Sequence, residues 1–269
     1  MLTSFLPSSV ANVVRYRNLL YQLIRRDISS RYQGTLIGIG WSLMLPLLTL
    51  GVYALVFGFI LQPRWPNVSD PAMFTVLLFS GLLVFNFFSE CISRSASVIV
   101  SNPSYVKKVV FPVELLVIVP AGTGVFHMLL GISAWVILVM MLGGSVYWTL
   151  LLFPFVLLPL AVMCVGISYF TSAVGVYVRD IGQVIAVAVQ LLMYLGPVIY
   201  PREVLPQSLQ TLMVLNPITI PVEQFRKVMN YGEAPDIGAL TAYFVAACVI
   251  AWAGRRFFDK TRHGFADVI

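Results

Sequence analysis

The sequence predicts an all-α integral membrane protein. It should have six transmembrane helices, an N-terminal amphipathic interfacial helix, a short capped helix between the second and third spans, and short helices before the last span. Three observations carry this. Of 269 residues, 59% are hydrophobic and only 10% charged, with mean hydropathy +0.90; soluble domains carry roughly 25% charged residues. The 64 residues from Leu115 to Val178 contain no Asp, Glu, Lys or Arg, which is room for two spans of about 20 residues each. Finally, spans at 35–61, 72–96, 115–142, 148–174, 182–200 and 237–254 leave 13 of the 17 Lys and Arg on one side. The positive-inside rule makes that side the cytoplasm. Six is even, so both termini are cytoplasmic, and residues 1–269 read as one transmembrane domain.

Residues 12–33 come first. Val13, Tyr16, Leu20, Ile24, Ile28 and Tyr32 recur every three or four residues, while Arg15, Asn18, Gln22, Arg25, Arg26 and Ser29 lie mostly elsewhere. This describes an amphipathic helix in the cytoplasmic interface, its arginines among anionic lipid headgroups. It is either a positional anchor or a gate at a channel mouth, with Arg25, Arg26 and Arg31 facing a phosphate-bearing substrate.

The span at 35–61 opens on Gly34 and Gly38, a small-xxx-small pair suited to close helix packing. Pro46, Pro120 and Pro159 fall inside spans and should kink them. In the second span Glu90 and Arg94 are four apart, acid first, so they pair on one helix face. Ionisable groups there must face protein or water, as a structural ion pair or as a polar ring where a substrate enters. Phe85, Phe87 and Phe88 cluster just before them, beside Asn86 and Ser89.

The stretch SNPSYVKKVVFP, residues 101–112, follows. Ser101 or Asn102 suits an N-cap, Pro103 the first helical position, and Lys107 and Lys108 the C-terminal end of the dipole. Pro112 stops the element. Joining two spans needs only a few residues, so a capped helix with an exposed Tyr105 reads as a surface for a partner to grip, or else as an interfacial turn. In the third span His127 reads as a hydrogen-bonded packing histidine, because no other span offers an acid at its depth. Gly143-Gly144-Ser145 marks the next turn. Between 201 and 236, PQSLQTLMVL and PVEQFRKVMN are amphipathic and separated by Asn216-Pro217. They are expected to dip into, or lie on, the outer interface, as a folded loop or a lid over an exit.

Several function classes are excluded. Membrane-embedded catalysis needs clustered acid–base groups or metal ligands at one face. Here the two histidines are far apart, there is no D-x-D, and the tail pair His263 and Asp267 stands alone. No catalytic residue and no metal site is expected. Cys91, Cys164 and Cys248 lack metal-ligand spacing and read as inert thiols. The first 30 residues are too polar for a cleavable signal peptide. The net charge of +6 needs no nucleic acid, since topology accounts for the cations. A P-loop needs G-x-x-x-x-G-K-[ST], yet no Gly-Lys dipeptide occurs. No ATP hydrolysis is expected of this chain itself.

Four stretches in order carry a family resemblance. They are RRDISSRYQGTLIGIGWSLMLPLL at 25–48, NPSYVKKVVFPVE at 102–114, VYVRDIGQV at 176–184, and GPVIYPREVLPQSLQTLMVLNPITIPVEQFRKVM at 196–229, with GFADVI at 264–269. Over nearly its whole length the chain resembles the transmembrane subunit of ABC-2-type exporters, closest to the permeases that export O-antigen and related polysaccharides. The resemblance implies that Asn102, Pro103, Ser104, Tyr105, Val106, Lys107 and Lys108 form a coupling helix. This helix would dock on a cytoplasmic P-loop ATPase, present in two copies, which binds the ATP and Mg. It implies that 12–33 is a gate helix, with Arg25, Arg26, Arg31 and Tyr32 at the entrance, and that 196–229 supplies periplasmic helices near the exit. The membrane would be the bacterial inner membrane.

Six helices without an internal repeat enclose a wide path poorly, so a homodimer with the path on its two-fold axis is expected. For a sugar polymer the path should offer aromatic faces, with Trp41, Phe85, Phe87 and Phe88 as candidates. A polyprenyl-diphosphate-linked glycan would be drawn to the three arginines, and ATP-driven closure would push through the helix around Tyr105. Export of teichoic acid, capsule polymer or a drug on the same fold is the nearest alternative. An ion-coupled secondary transporter would instead show internal repeats and buried midplane charges.

Overall fold

A computed structural model describes residues 14–56, 71–107, 111–204 and 206–269. Among these residues there is no strand. The helices are α1 (Arg17–Tyr32), α2 (Trp41–Tyr53), α3 (Pro71–Val98), α4 (Pro103–Val106), α5 (Glu114–Met141) and α6 (Phe153–Tyr177). They continue as α7 (Ile181–Leu195), α8 (Gln207–Met213), α9 (Thr219–Arg226), α10 (Ile237–Thr261) and α11 (Phe265–Val268). Among the described residues five stretches are long and apolar enough to cross a membrane: Gly38–Val56, Ala72–Val98, Glu114–Met141, Trp148–Tyr177 and Ile237–Gly264.

The span expected at 182–200 is shorter than the sequence suggested. The 15 residues of α7 rise only about 22 Å at 1.5 Å each, against a hydrocarbon core of about 30 Å. Gly196 and Pro197 end the helix, and the Asn216 amide donates to the Leu192 carbonyl in its last turn (2.9 Å). The following chain folds back into the bundle. In and just beyond α9, Val222, Phe225, Val228 and Met229 are completely buried, so this segment dips into the protein and does not lie on its surface. Arg226 is buried with them. Its guanidinium donates to the carbonyls of Leu77 (3.2 Å), Pro197 (2.5 Å) and Val198 (2.7 Å), tying α9 and the α7 exit to α3.

Helix α3 is central, and small residues let its neighbours approach. A Cβ at Gly175 of α6 would stand 1.9 Å from the Ala96 carbonyl of α3. One at Gly254 of α10 would stand 2.1 Å from the Gly166 carbonyl of α6. Gly34 and Gly38 do something else. Both adopt left-handed φ, +83° and +58°, with nothing near their Cβ positions. They turn the chain between α1 and α2, where only glycine is comfortable, and are not a packing pair. Gly143, at φ +71°, makes the expected turn. Pro46, Pro120 and Pro159 lie inside α2, α5 and α6.

Apolar packing is divided. The larger core gathers α3, α5, α6 and the α9 segment. A separate cluster lies at the α4 end of the bundle. It joins Leu23 of α1, Ile99, Leu115 to Val117 and Val119 of α5, Tyr169, Ala173 and Val176 of α6, Phe258 of α10 and Phe265 of α11. Tyr105, Val106 and Phe111 pack against it.

Candidate functional site

Helix α1 lies across α5 and α3. Gly122 of α5 makes room for Ile24, whose Cδ1 would be 2.2 Å from a Cβ there. One turn further on, Asp27, Arg31 and Tyr32 face the spans. Arg94 of α3 donates two parallel hydrogen bonds to the Asp27 carboxylate (2.9 and 2.6 Å), the bidentate geometry that suits guanidinium best. The Thr123 hydroxyl of α5 donates to the same carboxylate (2.8 Å). Arg31 lies 2.5 Å from Glu90 and 4.0 Å from Asp27, and Arg94 lies 3.5 Å from Glu90. Two acids and two arginines balance.

The chain of partners continues inward. His127 Nδ1 is 2.8 Å from the second oxygen of Glu90, and Tyr32 OH is 2.9 Å from His127 Nε2. A carboxylate oxygen accepts, so Nδ1 donates to Glu90, and Nε2 shares its hydrogen bond with the Tyr32 hydroxyl. Burial raises the Asp27 pKa, but hydrogen bonds from Arg94 and Thr123 and the charges of Arg94 and Arg31 outweigh it. The net result lies below the ordinary carboxylate value. Tyr32 is pushed up, chiefly by burial, with Glu90 adding to it and Arg31 opposing.

Beside this network stands α4. The predicted helix at 101–112 is a single turn, Pro103–Val106, in the described residues; Lys108 lies outside them. Asn102 makes no side-chain cap to α4. Its amide donates instead to the Val98 carbonyl (2.9 Å), closing the end of α3. Pro103, Ser104 and Lys107 are exposed, while Tyr105 and Val106 are half-buried. Tyr105 is therefore not the free handle expected. Its hydroxyl accepts from Arg26, the Arg26 guanidinium lies 5.3 Å from its ring centroid, and Phe111 packs against it at 4.5 Å. A cavity of about 190 Å³ separates α1 from the α3–α4 junction, lined in part by Arg26, Asp27, Arg94 and Asn102.

The structure brings together much of the predicted site, with different roles. Glu90 and Arg94 do approach each other, but as members of a network spanning three helices. Arg31 and Arg26 are engaged within the chain, and Arg25 is left exposed. Trp41 is half-buried at the start of α2. The proposed lining phenylalanines are corrected. Phe85, Phe87 and Phe88 are 8%, 2% and 1% exposed, inside the larger core, because α3 is surrounded on nearly every side; Asn86 is the residue facing out. His127 does have an acidic partner, contrary to expectation. Asp27 went unread, although it is the only acid before Asp70 and sits four residues from Arg31. Among the described residues no cluster of three metal-ligating side chains occurs.

Known proteins resemble this chain along most of its length. The family described as ABC-2 type transporter matches residues 18–230. The O-antigen export system permease protein RfbA of Myxococcus xanthus is 28% identical over 262 residues, covering 97% of this chain and 98% of that protein. The protein of the same name from Klebsiella pneumoniae is 22% identical over 254 residues, 94% and 95% of the two chains. The polysialic acid transport protein KpsM of Escherichia coli is 22% identical over 215 residues, 78% and 80%. With its bundle of membrane-length helices and a family match that takes in α1, α4 and α9, this chain belongs to the ABC-2 type transporter family.

Proposed function

We propose that this chain is the permease subunit of an ATP-driven exporter that moves a lipid-linked polysaccharide, of the O-antigen class, across the bacterial inner membrane. The observation that carries this reading is similarity to proteins named as O-antigen export permeases over 94% and 97% of the chain. The working unit is a homodimer with two copies of a cytoplasmic P-loop ATPase, which binds ATP and Mg; the chain itself contains no Gly-Lys dipeptide. Helix α7 completes six crossings together with the segment that folds back behind it, and both termini are cytoplasmic. Largely unburied α2 faces lipid and the second copy.

In this reading α4 is the coupling helix and α1 the gate helix. Force from the ATPase reaches α1 through Tyr105 and Arg26, which touch directly. Opening the gate requires Asp27 and Arg31 to leave Arg94 and Glu90, which frees arginines for the substrate's diphosphate. Relatedness to a polysialic acid transport protein supports a capsule polymer as the second reading.

The test is a mild-detergent pull-down of tagged protein, comparing wild type with Tyr105→Ala, Lys108→Glu. The expected result is a P-loop ATPase bound to wild type and lost from the variant. No ATPase on wild type, even after cross-linking, would remove the reading. Complementation of strains lacking an O-antigen or a capsule permease then separates the two polymers.

A further inference from the structure

The coupling turn is gripped at both ends. Upstream, Asn102 holds Val98 and Arg26 holds Tyr105. Downstream, the chain enters α5 at Glu114, a carboxylate only 5% exposed. Two arginines from the far end of the sequence converge on it: Arg255 at 3.3 Å and Arg262 at 3.7 Å. Asp259, one turn after Arg255, accepts from it at 2.9 Å and lies 3.6 Å from Arg262. Among the described residues this second network sets two acids against two arginines. Tyr169 of α6 completes it, its hydroxyl accepting from Arg255 at 3.4 Å while the guanidinium lies 5.3 Å from its ring centroid.

Packing reinforces the same grip. Phe258 and Phe265 are fully buried in the cluster that holds Ile99, Leu115 and Leu116, and the Phe258 ring meets Phe265 at 5.4 Å and Tyr169 at 5.3 Å. An apolar cluster alone would stabilise this corner at least as well, since buried ion pairs seldom add stability over good packing. What a three-way guanidinium adds is fixed direction.

We propose that residues 255–265 form a brace on Glu114 that keeps the α4–α5 junction rigid, so that displacement of α4 is passed into the bundle. Arg255 is its central positioning residue. The proposal rests on the permease reading above, and its readout is coupling: cell-surface polysaccharide, measured on a gel, relative to ATP hydrolysis by the purified complex. Glu114→Gln keeps the shape and removes the charge; Arg255→Lys keeps the charge and removes the planar three-way geometry. Both variants should retain the co-purifying ATPase and its hydrolysis rate, while polysaccharide per ATP falls about five-fold or more, the lower range of allosteric coupling.

An unchanged ratio overturns the brace. Loss of the ATPase from a variant also overturns it, because the segment would then shape the docking surface. Should Glu114→Gln fail to accumulate, Arg255→Lys decides by the same ratio. Absence of an ATPase from wild type is a different result, which overturns the permease reading and the brace with it.

Discussion

Replacing Arg94 by Met should loosen α1 without unfolding the bundle. Arg94 gives Asp27 two charge-assisted hydrogen bonds, a kind worth about 1.5–3 kcal/mol each when measured singly. Part of that is recovered. Asp27 keeps Thr123 at 2.8 Å and Arg31 at 4.0 Å, and the Arg94 side chain is already 32% exposed, so water screens the pair. A net loss of about 2 kcal/mol is a reasonable balance. That corresponds to about a thirty-fold rise in the population of detached α1. Hydrogen exchange in detergent reads this directly: amides of 20–32 should exchange about thirty-fold faster, while those in the middle of α10 should not change. Adding Asp27→Asn to Arg94→Met should then cost less than Asp27→Asn alone. Exchange of α1 that stays within about two-fold of wild type would refute a tie through Arg94 and Asp27, because an opening that small is below half a kcal/mol.

Other perturbations test other joints. The Asp27 carboxyl is held below its unfolded value of about 4. Its contribution is thus complete above that pH and lost as pH falls through the lower folded value; α1 protection should drop there in wild type and not in Asp27→Asn. Tyr105→Phe keeps the ring but removes the acceptor for Arg26, so ATPase co-purification should persist while export falls; unchanged export would disconnect α4 from α1. Arg226→Met strands the carbonyls of Pro197 and Val198, while Leu77 keeps the Ser80 hydroxyl; at about 1–3 kcal/mol for each buried one stranded, it should lower the melting temperature in detergent sharply. Gly175→Ala places a methyl 1.9 Å from the Ala96 carbonyl and should cost about 1–3 kcal/mol by overpacking; a stable variant would mean that α3 and α6 can part freely.

What could be read in the sequence follows from what is local. Long apolar runs, the Gly143 turn and the break at Asn216-Pro217 depend on neighbours in the chain, and the structure has them where expected. Long-range partners leave no such mark. Glu90 and Arg94 could be paired because they are four apart, whereas Asp27 meets Arg94 across 67 positions and Thr123 across 96. The small-xxx-small spacing of Gly34 and Gly38 is the same whether the segment is a helix or a turn, so spacing alone chose wrongly. Aromatic clustering likewise says nothing about whether a helix is central or peripheral. Phe87 and Phe88 are buried because α3 is central, a property of the assembled bundle. Helix α7 is shorter than composition suggests, because the apolar run continues past Gly196-Pro197, where the helix stops and the chain folds back.

The two ion networks also set a timetable for biogenesis. Tyr32 waits 95 residues for His127, and Asp27 waits 96 for Thr123, about 5–20 s at ordinary translation rates. Arg94 reaches Asp27 sooner, 67 positions on; until α3 is made, α1 has none of its spanning partners, and its arginines find counter-charge in the headgroup layer and in Asp27 itself. Glu114 waits longer, because Arg255 lies 141 positions on. The corner beside α4 therefore closes only after the last helix has been made, so a ribosome-bound or truncated chain presents α4 unset. A membrane quality-control protease would meet an open corner in every incomplete copy and a locked one in every finished copy.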